Sequence, residues 1–299
     1  MKLGISLPLF DIQGEPATVC DFAQAAEGLG YHHLAAPDHV LGVNVGSRPD
    51  WPKDRTTSKH YFHDPFVLFG FLSACTQKIE FSTQVLILPQ RQTVLVAKQA
   101  ASLDVLSGGR FRFGIGVGWN PVEFVGLNEN FHDRGKRQEE QVRVMRALWA
   151  EPHVSFKGQW HTIEDAGINP LPARRTIPIW FGGHADATLR RIAKMGDGWM
   201  MLAHARGAEA ETAFAKLRRY VEAEGRDPRT IGLEVWVSTA DGGPQERRKE
   251  FQYWQGVGVT HVTVNNTYAR GPHRRIAGTT PAEHLRAMKE YFAAVADLL

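Results

Sequence analysis

Along the chain, short apolar runs rich in β-branched and aromatic residues alternate with longer stretches in which apolar positions recur every three or four residues. That alternation predicts strands and helices in strict succession, the pattern of a parallel sheet with crossover helices. Strands are predicted at residues 2–7, 33–35, 79–88, 111–116, 177–181, 198–201, 232–238 and 261–264. Helices are predicted at 17–29, 64–76, 93–106, 134–149, 186–194, 208–223, 245–255 and 281–298. In the last helix Leu285, Met288, Phe292, Val295 and Leu299 fall at three- and four-residue steps, which predicts one buried face. Its start, Thr280-Pro281-Ala282-Glu283, reads as a capping box with proline in the first turn.

Loop lengths favour a closed barrel over an open doubly wound sheet. Helix-to-strand connections are tight at 28–30, 77–78 and 107–109, whereas strand-to-helix connections are long at 37–63 and 117–133. The elaborated face follows the strand C-termini, where (β/α)8 barrels build their sites. The fold class expected is therefore α/β, a (β/α)8 TIM barrel over residues 1–299 in one domain. A small insertion at 150–176 contains two β-like runs, 153–156 and 159–163, and leaves through Asn169-Pro170-Leu171-Pro172.

Composition narrows the function classes. The 35 basic and 32 acidic residues are spread along the chain with no basic stripe, so nucleic acid is a poor partner. No apolar run is long enough for a membrane span, and the first residues lack the features of a signal peptide. Cys20 and Cys75 lie in two amphipathic segments without the spacing of a disulfide scaffold or zinc site, so they read as reduced thiols of a cytoplasmic protein.

Three segments carry candidate chemistry. Asp38-His39 follows the second strand and opens the longest loop; a neutral His at a strand mouth can exchange a proton with a bound molecule, and a neighbouring Asp can set its tautomer. The other reading is an Asp capping local backbone beside a surface His. Gly114-Ile115-Gly116-Val117-Gly118-Trp119-Asn120 ends the fourth strand; its glycines allow close approach of a flat or phosphorylated ligand, with Trp119 as a wall, or serve tight packing at the rim. Gly182-Gly183-His184-Ala185 links the fifth strand to a helix, either as a phosphate cradle of exposed N–H groups or as a plain tight turn. By contrast, Ser107-Gly108-Gly109-Arg110 follows a helix and precedes a strand, which makes the glycines a left-handed helix cap and Arg110 structural. Thirteen histidines raise the question of a metal, but no ligand motif occurs and His32-His33 begins a strand rather than ending one.

With Asp38-His39, the turn Leu88-Pro89-Gln90-Arg91, the block from Ala97 to Arg110, Gly116–Asn120, Arg134–Arg137 and Ile179–Gly183, the chain resembles the luciferase-like monooxygenase superfamily, from about Lys2 to the last helix. The resemblance implies an oxidoreductase barrel that binds the deazaflavin F420, or alternatively FMN, over its mouth. The loop pattern is similar to the F420 branch. There His39 would lie near the reactive ring, Gln84 and Val85 would form a bulge behind it, often with a cis peptide, and Gly116–Asn120 with Gly182–Ala185 would hold the tail and phosphate. Some F420 dehydrogenases carry a Glu where this chain has Pro121; Glu123 is the nearby substitute.

The activity expected from the resemblance is hydride transfer with F420, or flavin-dependent monooxygenation of a small organic substrate. A flavin version would need a separate reductase, and a homo-oligomer is expected. Carboxylates on an F420 tail would want cations, for which Arg91 and Arg206 are candidates. The competing expectation is a non-catalytic barrel that only binds a flavin-type cofactor.

Overall fold

A computed structural model of the chain describes residues 1–269 and 271–299. Eight parallel strands close on themselves: β1 (Lys2–Ser6), β2 (His33–Ala36), β3 (Glu80–Thr83, resuming at Leu86–Ile87), β4 (Phe111–Gly116), β5 (Ile179–Gly182), β6 (Gly198–Met201), β7 (Gly232–Val237) and β8 (His261–Val264). Each pairs with its sequence neighbour, and β8 returns to β1 with Val262 opposite Leu3, so the barrel has no free edge. Eight helices surround it: α1 (Pro16–Leu29), α2 (Pro65–Cys75), α3 (Thr93–Leu106), α4 (Arg134–Ala150), α5 (Asp186–Met195), α6 (Ala208–Ala223), α7 (Pro244–Gly256) and α8 (Pro281–Val295). The architecture is the TIM barrel expected from the alternating pattern.

The strand period of two separates two interiors. One set of side chains, including Leu3 and Ile5 on β1, Phe111, Phe113 and Ile115 on β4, and Val262 and Val264 on β8, packs into the helices as one hydrophobic core. The alternate set turns inside the barrel: Gly4 and Ser6, Arg112, Gly114 and Gly116, His261 and Thr263. Trp180 fills the space left by two glycines, since a Cβ at Gly198 or Gly232 would come within 2.2 Å of its ring.

Several local expectations are corrected. The third strand is not continuous over 79–88: it breaks after Thr83, the Gln84–Val85 peptide is cis, and pairing to β4 resumes at Leu86. Cys20 on α1 and Cys75 on α2 are not separate reduced thiols but form a disulfide, with Cα atoms 6.5 Å apart. They lie 55 positions apart in sequence, so only the packing of α1 beside α2 brings them together. On α8 the buried face is His284, Ala287, Met288, Tyr291 and Val295; Leu299 is exposed and Leu285 and Phe292 only flank the face. The capping box of Thr280 and Glu283 is present.

The insertion is an antiparallel hairpin, Val154–Lys157 with Thr162–Ala166, packed on α4. Its turn is fixed by Glu140, which accepts hydrogen bonds from the N–H groups of Gln159, Trp160 and His161 and from the His161 ring. On the opposite face Gly108 and Gly109 are left-handed, at φ 70° and 81°, and Arg110 donates to the carbonyls of Ser73, Thr76, Ile79 and Ser107. No helix among the described residues is long and apolar enough to cross a membrane. No cluster of three or more potential metal ligands occurs among them.

Candidate active site

The site begins where β2 ends. A six-residue helix, Pro121–Gly126, follows β4; Pro121 occupies its first turn and Asn120 caps it, its Oδ1 accepting from the Val122 N–H at 3.0 Å. This turn carries Glu123 into full burial. There its Oε2 accepts from His39 Nδ1 at 2.9 Å, and its Oε1 accepts from the Val40 and Leu41 N–H groups at 2.8 and 3.3 Å. Burial pushes the Glu123 carboxyl up, but the His39 hydrogen bond and charge and the two backbone donors outweigh it, so the pKa lies below its ordinary value. A carboxylate only accepts, which places a proton on His39 Nδ1; in the neutral ring Nε2 is then the acceptor. The ring is half-buried, at the mouth of the barrel.

Asp38, expected to tune His39, makes different bonds. Its carboxylate takes Arg91 Nη2 at 2.8 Å and the Ile87 N–H at 3.0 Å, tying β2 to the resumed β3. Burial holds its pKa above the ordinary value in spite of Arg91. The residue beside His39 in sequence therefore turns to a strand, and the partner of the ring comes from 84 positions away. Arg91, expected near a cofactor tail, is committed to Asp38 and to Asp64, each at 2.8 Å; Arg206 lies 3.5 Å from Glu246.

Around His39 the loops after several strands contribute rings. Phe62 and Trp119 meet the imidazole at 5.0 and 5.7 Å, both edge-on. Trp51 continues the series beyond Trp119 at 5.6 Å, and Phe10, from the segment after β1, continues it beyond Phe62 at 4.9 Å. Phe10 also touches His60 and Tyr268, both at 4.7 Å, and Tyr268 lies almost parallel to Trp236 at 5.6 Å. These rings are all half-buried, unlike the core aromatics Phe69, Phe81 and Phe113, which are fully enclosed. Together these side chains form an arc of partly accessible rings over the strand C-termini.

The remaining predicted residues are distributed around this arc. Val85, at the break in β3, lies between Gly116 and Gly182: a Cβ on either would approach its methyl groups to 2.5 or 2.7 Å. Gly118 is left-handed, at φ 74°, and lies against Ile87 and Phe124. Gly183, at φ 108°, turns the chain from β5 into α5, and its carbonyl accepts from the Trp199 indole at 2.7 Å. His184 and Ala185 are exposed at the start of α5, whose first N–H groups have no side-chain cap. Beside them a cleft of about 420 Å³ runs between α5 and α6, lined by His184, Trp199, His204 and Lys216. Gln84 turns inward, where its amide reaches both the buried Glu234 and the Trp236 indole.

Beneath the arc lies a buried polar network absent from the sequence reading. Glu234 on β7 is fully enclosed and is met by Arg112, Gln84, Thr263 and His33, the last at 3.2 Å. Burial opposes its charge, yet Arg112 and His33 bring its pKa well below the ordinary value. Arg112 also binds Glu80 at 2.7 Å and lies over the Trp180 ring. The Gln84 carbonyl accepts from the Trp236 indole at 2.8 Å, so one amide joins the buried charge to the ring arc. Inward polar residues on strands have the same period as any others, and only the paired register of β2, β3, β4, β7 and β8 brings these five together.

The sequence profile of the family described as luciferase-like monooxygenase matches residues 1–298. An uncharacterized protein of Mycobacterium tuberculosis is 34% identical over 259 residues, 84% of this chain and 86% of its own. An F420-dependent glucose-6-phosphate dehydrogenase of Kineococcus radiotolerans is 25% identical over 280 residues, 91% of this chain and 79% of its own. Among solved structures, the monooxygenase RslO1 from Streptomyces bottropensis superposes with a TM-score of 0.77 at 19% identity, covering 100% of this chain and 99% of the other.

Proposed function

Because the chain belongs to the luciferase-like monooxygenase family, we propose that it is an F420-dependent oxidoreductase in which His39, held by Glu123, exchanges a proton with a small organic alcohol or ketone. The observation that carries this reading is the Glu123–His39 pair, which leaves Nε2 as a proton acceptor at the barrel mouth. The residues present fit a flavin-type cofactor. The α5 N-terminus offers uncapped N–H groups beyond Gly183 for a phosphate, and Val85, seated between Gly116 and Gly182, supplies an apolar backing for a flat ring at the strand ends. When bound, F420 supplies the hydride acceptor for the carbon that bears the substrate hydroxyl.

The protein does the rest. His39 Nε2 accepts the hydroxyl proton as the carbonyl forms and returns it in the reverse direction. Glu123 stabilises the imidazolium while the proton is held. Val85 and the glycines on either side back the cofactor, and the aromatic arc excludes water from the transfer. Similarity to the Kineococcus F420 enzyme over most of the chain supports F420 over FMN.

Titration of the purified protein with F420 and, separately, with FMN, followed by quenching of cofactor fluorescence, tests the assignment. Micromolar binding of F420 is expected. Binding of FMN alone would replace it with flavin-dependent oxygenation and a separate reductase, and tight binding without turnover would favour a non-catalytic binder.

A further inference from the structure

We propose that the substrate recognised by this site is an uncharged molecule with a planar, conjugated ring, its hydroxyl or carbonyl reaching His39, and not a phosphorylated or carboxylated metabolite. The inference rests on the proposed role of His39 and adds the chemical class that reaches it. Three observations point the same way.

The first is the identity of the walls. Phe62 and Trp119 flank the His39 ring, with Phe10 and Trp51 beyond them, and each of these rings is half-buried with surface left to cover. Flat faces and edges arranged at 66° and 71° to the imidazole suit a flat ring, which gains edge-to-face contacts beyond its buried area.

The second is charge. The carboxylate of Glu123, held below its ordinary pKa, lies 2.9 Å from His39 Nδ1, so the pair carries no net positive charge with which to bind a carboxylate or phosphate, and such a group would lose its water without gaining a cationic partner.

The third is the disposition of the cations. Arg91 is bound to Asp38 and Asp64, and Arg275 is bound to both oxygens of Asp11 at 2.9 Å. Arg55 lies over the Trp119 ring, its charge set against an aromatic face, while Arg48, Lys53 and Lys59 of the same loop are exposed. The ring arc therefore has aromatic walls over a buried carboxylate, with Arg91 and Arg275 already paired, a combination that favours rings over anions.

Calorimetric titration with 2-acetylnaphthalene and with its anionic counterpart 6-acetyl-2-naphthoate tests the inference on the protein with and without F420. The neutral ketone is expected to bind at least about tenfold more tightly. Phe62→Leu should weaken the ketone by about two- to tenfold, the worth of one aromatic pair, without changing F420 affinity. Equal or tighter binding of the naphthoate, or no heat with the ketone, would overturn the proposal. Both titrations read ligand selectivity alone, so loss of F420 binding in its own titration would strike the cofactor assignment and leave this comparison standing.

Discussion

Replacing Glu123 with Gln is the sharpest probe of the proposed dyad, because it changes one atom and no volume. In the parent, Oε1 takes the N–H groups of Val40 and Leu41 and Oε2 takes His39 Nδ1. In Glu123→Gln the amide oxygen can keep both backbone donors, which turns the NH₂ toward Nδ1. Two donors then face each other at about 2.9 Å. The ring relieves the conflict by giving up its Nδ1 proton and carrying one on Nε2, so the nitrogen at the mouth becomes a donor. A positioned base contributes about 10²–10⁴ in rate, so kcat for F420 reduction should fall by that factor, equivalent to about 3–5 kcal/mol of barrier. Stability should fall by only about 1–2 kcal/mol, since one charge-assisted bond is weakened and two acceptor contacts remain. Imidazole ¹⁵N shifts report the tautomer without any substrate: Nδ1–H in the parent and Nε2–H in the variant. An Nε2–H tautomer already present in the parent, or a variant with parental kcat and a switched tautomer, would refute the reasoning.

Arg110→Ala should cost about 1–3 kcal/mol of stability by leaving the carbonyls of Ser73, Thr76 and Ile79 without their donor. Its kinetics should stay parental because Arg110 lies on the face away from the site; thermal denaturation with steady-state rates checks both halves. At Glu140, burial pushes the carboxyl up, but the Gln159 N–H, the His161 ring and the Trp160 and His161 N–H groups bring it to about 2. A depressed pKa stabilises the fold above the ordinary value of 4.5, and that contribution is lost as pH falls from there toward 2. Urea denaturation of Glu140→Gln should therefore show a shallower loss of stability over this window than the parent; identical slopes would remove Glu140 from the acid response.

The barrel was legible because its signals are local. Thr93–Leu106, Phe111–Gly116 and Ala208–Ala223 have the bounds that apolar periodicity gives, and the Thr280–Glu283 box is four consecutive residues. His39 was visible for a related reason, since it follows a strand and opens a long loop. Its partner was not. Adjacency suggested Asp38, but successive residues leaving a strand point to opposite sides, and a carboxylate delivered by a separate helix reaches the ring instead. Glu234 and Arg112 were hidden because an inward polar residue and a solvent-facing one occupy the same place in an alternating pattern. The aromatic arc draws on positions from Phe10 to Tyr268, a set no window along the chain contains.

The attachment of the long loop to Glu123 limits how a ligand can enter. The carboxylate that fixes the His39 proton also grips the Val40 and Leu41 backbone, and Leu41 is seated against Gly126. A little further on, the Ser58 N–H binds the Val43 carbonyl at 3.0 Å, and Gly42 lies so close to Ser58 that a Cβ would come within 2.3 Å of its Cα. The two ends of the loop are thus fastened together as well as to the barrel. Lifting the root would strip His39 of its partner and disarm the base at the moment a substrate arrives. The root of the loop is thereby a fixed wall beside His39, while residues 44–56, the tip that carries Trp51 and Arg55, lie beyond the stretch that these bonds fasten.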